Sequence, residues 1–392
     1  MAKPSALLTG AVALLAASVL TACGSASPQT KVEASGSFTP AGSGSADDLA
    51  SVCPKTIVWQ TGWVPQAEHG PVYQMLGGSY SIDAAHKRVT GELIDGNVDT
   101  GVQLQVRAGG PAIGYQSVSA TMYLDKSILI GGINTDESIQ DSAGQPTVGI
   151  VTYDQLSPLM IMWDPKKHPT WQSISDIGKT NTKVLYFDGT TYMSYLTGSG
   201  VLKASQTDGG YDGTPAVFIT QNKQPAVQGY ATQDPYLYQH DIKQYLQPVK
   251  YQLVNALGYS IYPDEVSVRA ADVTAKASCL KRLVPVIQRA AVAFHQQPKR
   301  TEDMIVKVSS LYNIGSPQSP GLVDYGTTTQ KSIGMLANSP NGVMGQFDPS
   351  RVQHLIDVDK PIFATARKPI KTGLTAADVV TNSFVDPAIR TP

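Results

Sequence analysis

From residue 56 onward the apolar positions fall into short blocks separated by Gly, Pro and Asp-Gly punctuation. Residues 56–59 form a β-prone run, 63–68 a loop around Pro65, and 70–76 the start of a helix. The alternation VQLQV at 102–106 predicts a strand, which Gly109-Gly110-Pro111 ends. Residues 113–122 read as helical and 127–133 as an apolar strand. A second series opens with PLMIMW from Pro158, continues through a turn at 173–178 and a strand at 183–187, and reaches a helix opened by Asp188-Gly189-Thr190-Thr191. PAVFIT (215–220), an aromatic stretch at 229–238 and the strand-like VKYQLV (249–254) complete it. Residues 266–270 read as a further strand, and 271–295 as a long amphipathic helical region kinked at Pro285. Strands alternating with helices imply α/β lobes with parallel or mixed sheets. No repeat of 20 to 50 residues is visible.

The first residues carry a different pattern. Lys3 precedes an uncharged Ala/Leu/Val run over 6–20, short of the about 20 apolar residues that span a bilayer. Residues 1–22 therefore read as a secretory signal. The run ends in Leu20-Thr21-Ala22-Cys23, which resembles the bacterial lipobox, so Cys23 is expected to carry lipid; an ordinary cleaved signal is the alternative. Residues 23–53 are dominated by small and polar residues without hydrophobic period and are expected to form a flexible Gly/Ser-rich tether.

The chain has 392 residues, long for a single core, and 42% are apolar, enough for two. Thirty Lys and Arg balance 31 Asp and Glu, so there is no basic excess to hold a phosphate backbone, and nucleic acid is not an expected partner. Tyr outnumbers Phe 18 to 7, which suits a half-wet ligand surface. With Cys23 assigned to lipid, Cys53 and Cys279 remain in an exported chain and are expected to be bridged; two separate buried thiols are the alternative. Such a bridge returns the last third to the first lobe, with the middle third inserted between crossing segments near 150–158 and 255–265. The expected organisation is lobe 1 from 54–155 and 260–392, and lobe 2 from 156–259.

The segment WQTGWVPQAEHGPVY (59–73) is similar to the opening segment of the nitrate/sulfonate/taurine and thiamine-pyrimidine branch of ABC-importer solute-binding proteins. VQLQVRAGGP (102–111), ISDIGKTNTKVLYFDGTT (174–191), VQGYATQDPYLYQ (227–239) and TNSFVDP (381–387) extend the resemblance over about residues 54–390. It implies a type II periplasmic-binding fold, two α/β lobes closing on a small molecule, that serves an ABC permease with its cytoplasmic ATPase. Such a chain is expected to be a monomer, held by its lipid on the outer face of the cell membrane. A secreted enzyme on the same scaffold and a sensor lipoprotein are the alternatives.

Ligands of open α/β sheets sit beyond the carboxyl ends of strands, where helices begin. The candidate contacts are therefore Trp59, Trp63, Gln66, His69 and Tyr73 from the first such end, Gly109, Gly110 and Tyr115 from the second, and Asp188, Thr190, Thr191 and Tyr192 from the third. Asp234 joins them from the Tyr-rich loop. Core packing suits Trp59 as well as ligand contact does, a structural role suits His69 equally, and Asp234 also fits a solvated turn. Catalytic motifs are lacking: Gly178-Lys179-Thr180 imitates the end of a P-loop, but Ser173 stands where its upstream glycine belongs. The six His have no metal-ligand spacing, so neither metal nor cofactor is expected. The Trp and Tyr of the loops favour a flat nitrogenous or aromatic solute, thiamine-pyrimidine-like, over sulfonate or nitrate.

Overall fold

A computed structural model describes residues 29–32, 37–315 and 317–392; the signal segment 1–22 and Cys23 lie outside the described residues. Two sheets organise the chain. In the larger, strand Thr56–Gln60 lies parallel between Val98–Arg107 and Ile128–Ile133. Glu265–Arg269 runs antiparallel between Ile128–Ile133 and Thr147–Val151, because it enters from the opposite direction after the second lobe. The smaller sheet comprises Leu159–Trp163, Val184–Leu185, Thr207–Asp208, Ala226–Tyr230 and Lys250–Leu253.

Leu159–Trp163 shows why its sequence is apolar throughout. Leu159, Ile161 and Trp163 face one core with Tyr192 and Leu196, while Met160 and Met162 face another with Phe218 and Tyr238. A strand covered on both faces has no polar side to show. The large-sheet core is closed by helix Ala277–Gln296, whose Leu280, Leu283, Val284 and Ile287 are fully buried. This helix runs on through Pro285; the break falls instead at Lys276, where the backbone leaves helical geometry between Ala270–Ala275 and Ala277–Gln296.

Three expectations are altered. Residues 70–76 give only the short helix Gly70–Gln74, and the chain then folds into the antiparallel strands Leu76–Asp83, Arg88–Asp95 and Val98–Arg107. The expected tether 23–53 is packed over 37–53: Leu49 is fully buried, Thr39–Pro40 pairs with the edge of Val98–Arg107, and Asp47 and Asp48 pair with Arg289 and Arg282 of the long helix. Glycine content there describes turns rather than freedom. Within 260–392, expected to belong to lobe 1, helix Pro349–Thr365 instead packs Val352, Leu355, Ile356 and Phe363 into the second-lobe core and also touches helix Thr135–Gln140 of the first. It bridges the seam between the sheets.

Cys53 and Cys279 are bridged, with Cα atoms 4.8 Å apart across a sequence separation of 226. Closing a loop of that length stabilises by about 5 kcal/mol in the chain-entropy model. Cys279→Ser is expected to lower stability in denaturant titration by that order, and thiol titration of the unreduced protein should find neither Cys53 nor Cys279 reactive. Two reactive thiols at these positions contradict the bridge.

Candidate functional site

The chain crosses from the larger to the smaller sheet between Val151 and Leu159 and returns between Leu253 and Glu265. Loops following Gln60, Ile133 and Val151 meet the loop following Tyr230 at the seam. Glu265–Arg269 is antiparallel to its neighbours, so the residue ahead of it, Asp264, sits at the same sheet end. Across the seam Thr232 donates its hydroxyl to Glu68 Oε1, and Gln233 Nε2 donates to Gln66 Oε1 at 2.7 Å. Tyr325, from helix Pro320–Ser332, donates its hydroxyl to the Ala231 carbonyl at 3.2 Å.

The first loop is shaped by close backbone approach. A Cβ on Gly62 would lie 2.3 Å from Asp264 Oδ1, and one on Gly109 would lie 2.2 Å from the Thr61 carbonyl oxygen. Glycine is required at both places because the two turns and Asp264 occupy the space of a side chain. Thr61 Oγ1 donates to the Trp63 carbonyl at 2.7 Å, and Gly110, at φ +56°, lies under the Trp63 ring. Trp63 and Tyr115 form a tilted pair with centroids 5.9 Å apart, and both are exposed, 39% and 70%. Exposed aromatic pairs are unusual on a surface that has no partner.

Carboxyl groups crowd the crevice behind that pair. Asp154 is 1% exposed and neither of its oxygens has a hydrogen-bond partner; burial, then Asp264 and Glu68, hold its carboxyl well above the usual range. Glu68 is also raised, by burial against the opposing bond from Thr232, and its Oε2 is unpartnered. Burial pushes Asp234 up to about 6, although its carboxylate accepts the Tyr230 N–H at 2.6 Å. Glu137 is pushed up to about 8 by burial, then by Asp141, Asp136 and Asp264. Asp136 is raised by burial although Tyr259 donates to it at 2.9 Å. Tyr230 is 42% exposed, and burial, then Asp234, Asp264 and Glu68, raise its hydroxyl.

His69 is a basic side chain beside this group. Its Nε2 is 3.4 Å from Asp264 Oδ2, too far for a good hydrogen bond, and neither ring nitrogen has a partner although the residue is 1% exposed. Asp264 itself has φ +44°, a left-handed conformation that Asp tolerates better than most residues. Glu265 offers a contrast: it is fully buried and pushed up to about 8 by burial, yet it receives hydroxyls from Thr135, Ser138 and Ser267. It is satisfied, whereas Asp154 is not.

Among solved structures the chain is similar to a Bordetella bronchiseptica protein at 16% identity, with TM-score 0.51 and coverage of 84% of this chain and 96% of that one. It is also similar to the periplasmic aliphatic sulphonate binding protein SsuA of Escherichia coli, at 11% identity, TM-score 0.51 and coverage of 82% and 94%. The chain has the periplasmic-binding-protein fold. A sulfonate-binding SsuA protein of a sulfonate ABC transporter from Methylobacillus flagellatus shares that fold at 11% identity, TM-score 0.50 and coverage of 84% and 93%. No family model and no curated protein matches the sequence.

Within this binding-protein fold the sequence candidates separate. Gln66, His69, Trp63, Gly109, Gly110, Tyr115 and Asp234 lie at or beside the seam. Trp59 and Tyr73 are side chains of the large-sheet core, and Tyr192 belongs to the second-lobe core with its hydroxyl donated to Gln228 Oε1 at 2.7 Å. The structure therefore does not bring these three rings to the crevice: each sits at a register position that points inward. Asp188 is exposed and accepts the Gly189 N–H within its own turn, and Thr190 donates to the Phe187 carbonyl. Thr191 lies beside Tyr259, which reaches Asp136. Glu68, Asp136, Glu137, Asp154 and Asp264 were not among the candidates. Glu68 stands inside the 59–73 segment, and Asp264 follows Pro263 ahead of a strand, which is a turn signal. Among the described residues no group of three or more His, Cys, Asp or Glu is arranged to hold a metal. A surface groove lined by Ser142, Pro146, Ala270, Val273, Lys371 and Leu374 receives none of the convergent residues.

Carboxyls raised in the folded state bind protons more tightly than in the unfolded chain, so their contribution to stability is present below about pH 4 and is lost as pH rises through their folded values. The ligand-free protein is expected to melt at progressively lower temperature from pH 4 to 8, through the Asp234 value of about 6 and the Glu137 value of about 8. Glu137→Gln should flatten the upper part of that fall and stabilise at pH 8 by about 1 to 3 kcal/mol. Calorimetric melting across pH checks this, and a wild-type curve that rises over the same range contradicts it.

Proposed function

We propose that this chain is the lipid-anchored, extracytoplasmic solute-binding component of an ABC importer, capturing a small molecule between its lobes and releasing it to a membrane permease. The supporting observation is the seam itself. Loops from both sheets deliver polar side chains and aromatic rings to one crevice, and direct bonds of Glu68 to Thr232, Gln66 to Gln233, Tyr325 to Ala231 and Tyr259 to Asp136 link the lobes there. Two lobes joined by crossing segments open and close about few backbone positions, so a guest that contacts both favours the closed form. The similarity of the fold to sulphonate-binding proteins supports the carrier role, since those neighbours bind solutes. Cys23, by its lipobox-like setting, supplies the membrane attachment, and no helix of the described residues is long and apolar enough to cross a membrane.

A thermal-shift screen over pyrimidines, sulfonates, nitrate and amines tests the role, because a ligand that binds only the folded protein raises its melting temperature by mass action. Stoichiometric binding without turnover is the expected result; chemical conversion of any hit argues for an enzyme. Trp63→Ala should weaken binding of the hit about tenfold, the scale of one aromatic contact of 1 to 2 kcal/mol, with the fold intact by circular dichroism. Equal affinity removes Trp63 from the site. Cys23→Ser should move the protein from the membrane fraction to the soluble extracytoplasmic fraction.

A further inference from the structure

Charge sign distinguishes the crevice from an oxyanion site. Glu68, Asp136, Glu137, Asp154 and Asp234 make no ion pair among the described residues, and Asp264 has only His69. Buried carboxyl groups are ordinarily paired or hydrogen-bonded, so this set lacks its counter-charge. The helix openings at the seam are equally poor in donors. Gly70–Gln74, Gly110–Ile113 and Asp234–Tyr236 each carry proline in their first positions, namely Pro71, Pro111 and Pro235, which removes an N–H that would face an anion.

A second observation, independent of the acids, marks a missing guest. His69 is 1% exposed with both ring nitrogens unpartnered, and it lies against Asp264. An imidazole always carries at least one donor, so this buried ring has hydrogen-bonding capacity that the described residues leave unused. Glu68 Oε2 and both oxygens of Asp154 likewise have no hydrogen-bond partner among the described residues, and Glu68 and Asp264 lie near enough to Asp154 to raise its carboxyl. Three exposed rings adjoin them: Trp63 and Tyr115 follow the Gly62 turn that abuts Asp264, and Tyr230 comes from the other lobe.

We propose that the crevice selects a small, flat organic cation, a ring bearing an amidinium or ammonium group, whose N–H donors are received by Glu68, Asp154 and Asp264 while Trp63, Tyr115 and Tyr230 cover its face. This rests on the solute-binding reading above and specifies its substrate class. Carboxylates supply acceptors and charge without needing a donor from the stripped helix openings, and aromatic faces attract a delocalised cation.

The test holds the ring constant and changes its charge. Benzamidine, benzamide and benzenesulfonate are titrated calorimetrically into the purified protein at pH 7, and again into Glu68→Gln and Asp154→Asn. Expected is benzamidine binding at least tenfold tighter than benzamide, no binding of benzenesulfonate, and at least a tenfold loss in one or both variants, whose ligand-free melting temperatures do not fall. Two variants are used because either alone may disturb the seam. Benzamide binding as tightly as benzamidine, preference for benzenesulfonate, or benzamidine affinity untouched by both substitutions each overturns the proposal. Benzenesulfonate binding that is lost in Trp63→Ala leaves the solute-binding role standing and removes only the cation; no binding here or in the wider screen removes both.

Discussion

A carboxyl group taken out of water without a cation beside it is unstable as a charge, and its environment must supply a proton, a donor or a counter-ion. The seam between the two sheets is built around that constraint. Glu265 meets it with three hydroxyls, Glu68 with one, and Asp154 with none. Burial raises the carboxyls of Glu68 and Asp154, which favours their protonated forms.

The same seam explains the topology. Glu265–Arg269 enters the larger sheet antiparallel because it returns from the second lobe, and this places Asp264 among loops that follow the parallel strands. A parallel strand at that position would carry its leading residue to the far end of the sheet. Helix Pro349–Thr365 packs on both lobes, so the smaller sheet is attached by more than its two crossing segments. Its buried Asp359 lies close enough to Tyr259 and Asp136 to feel them, and its carboxyl is pushed up to about 8 by burial.

Much of the scaffold was legible because two-faced burial leaves an unmistakable trace. Ile128–Ile133 and Leu159–Trp163 are continuous apolar runs, and the resemblance at 59–73 points to the loop that the structure brings to the seam. The antiparallel strands Leu76–Asp83 and Arg88–Asp95 were not legible, since Gly77, Gly78 and Gly91 interrupt their alternation. The aromatic candidates divided for a physical reason: a ring looks the same in sequence whether its register faces a core, as for Trp59, or solvent, as for Trp63. The acids were hidden by separation. Glu68, Asp154 and Asp264 are far apart in the chain, each unremarkable in its loop, and only the order of strands in the larger sheet makes them neighbours. No local pattern encodes a cluster assembled from such distant segments.

The attachment of residues 47–53 has a mechanical consequence. Asp47 and Asp48 hold arginines of the long helix, and Cys53 is covalently joined to that helix at Cys279. A pull applied ahead of Asp47 would therefore enter the larger half first, through several fasteners on a single rod. The smaller half receives that load only at second hand, through its two crossing segments and helix Pro349–Thr365.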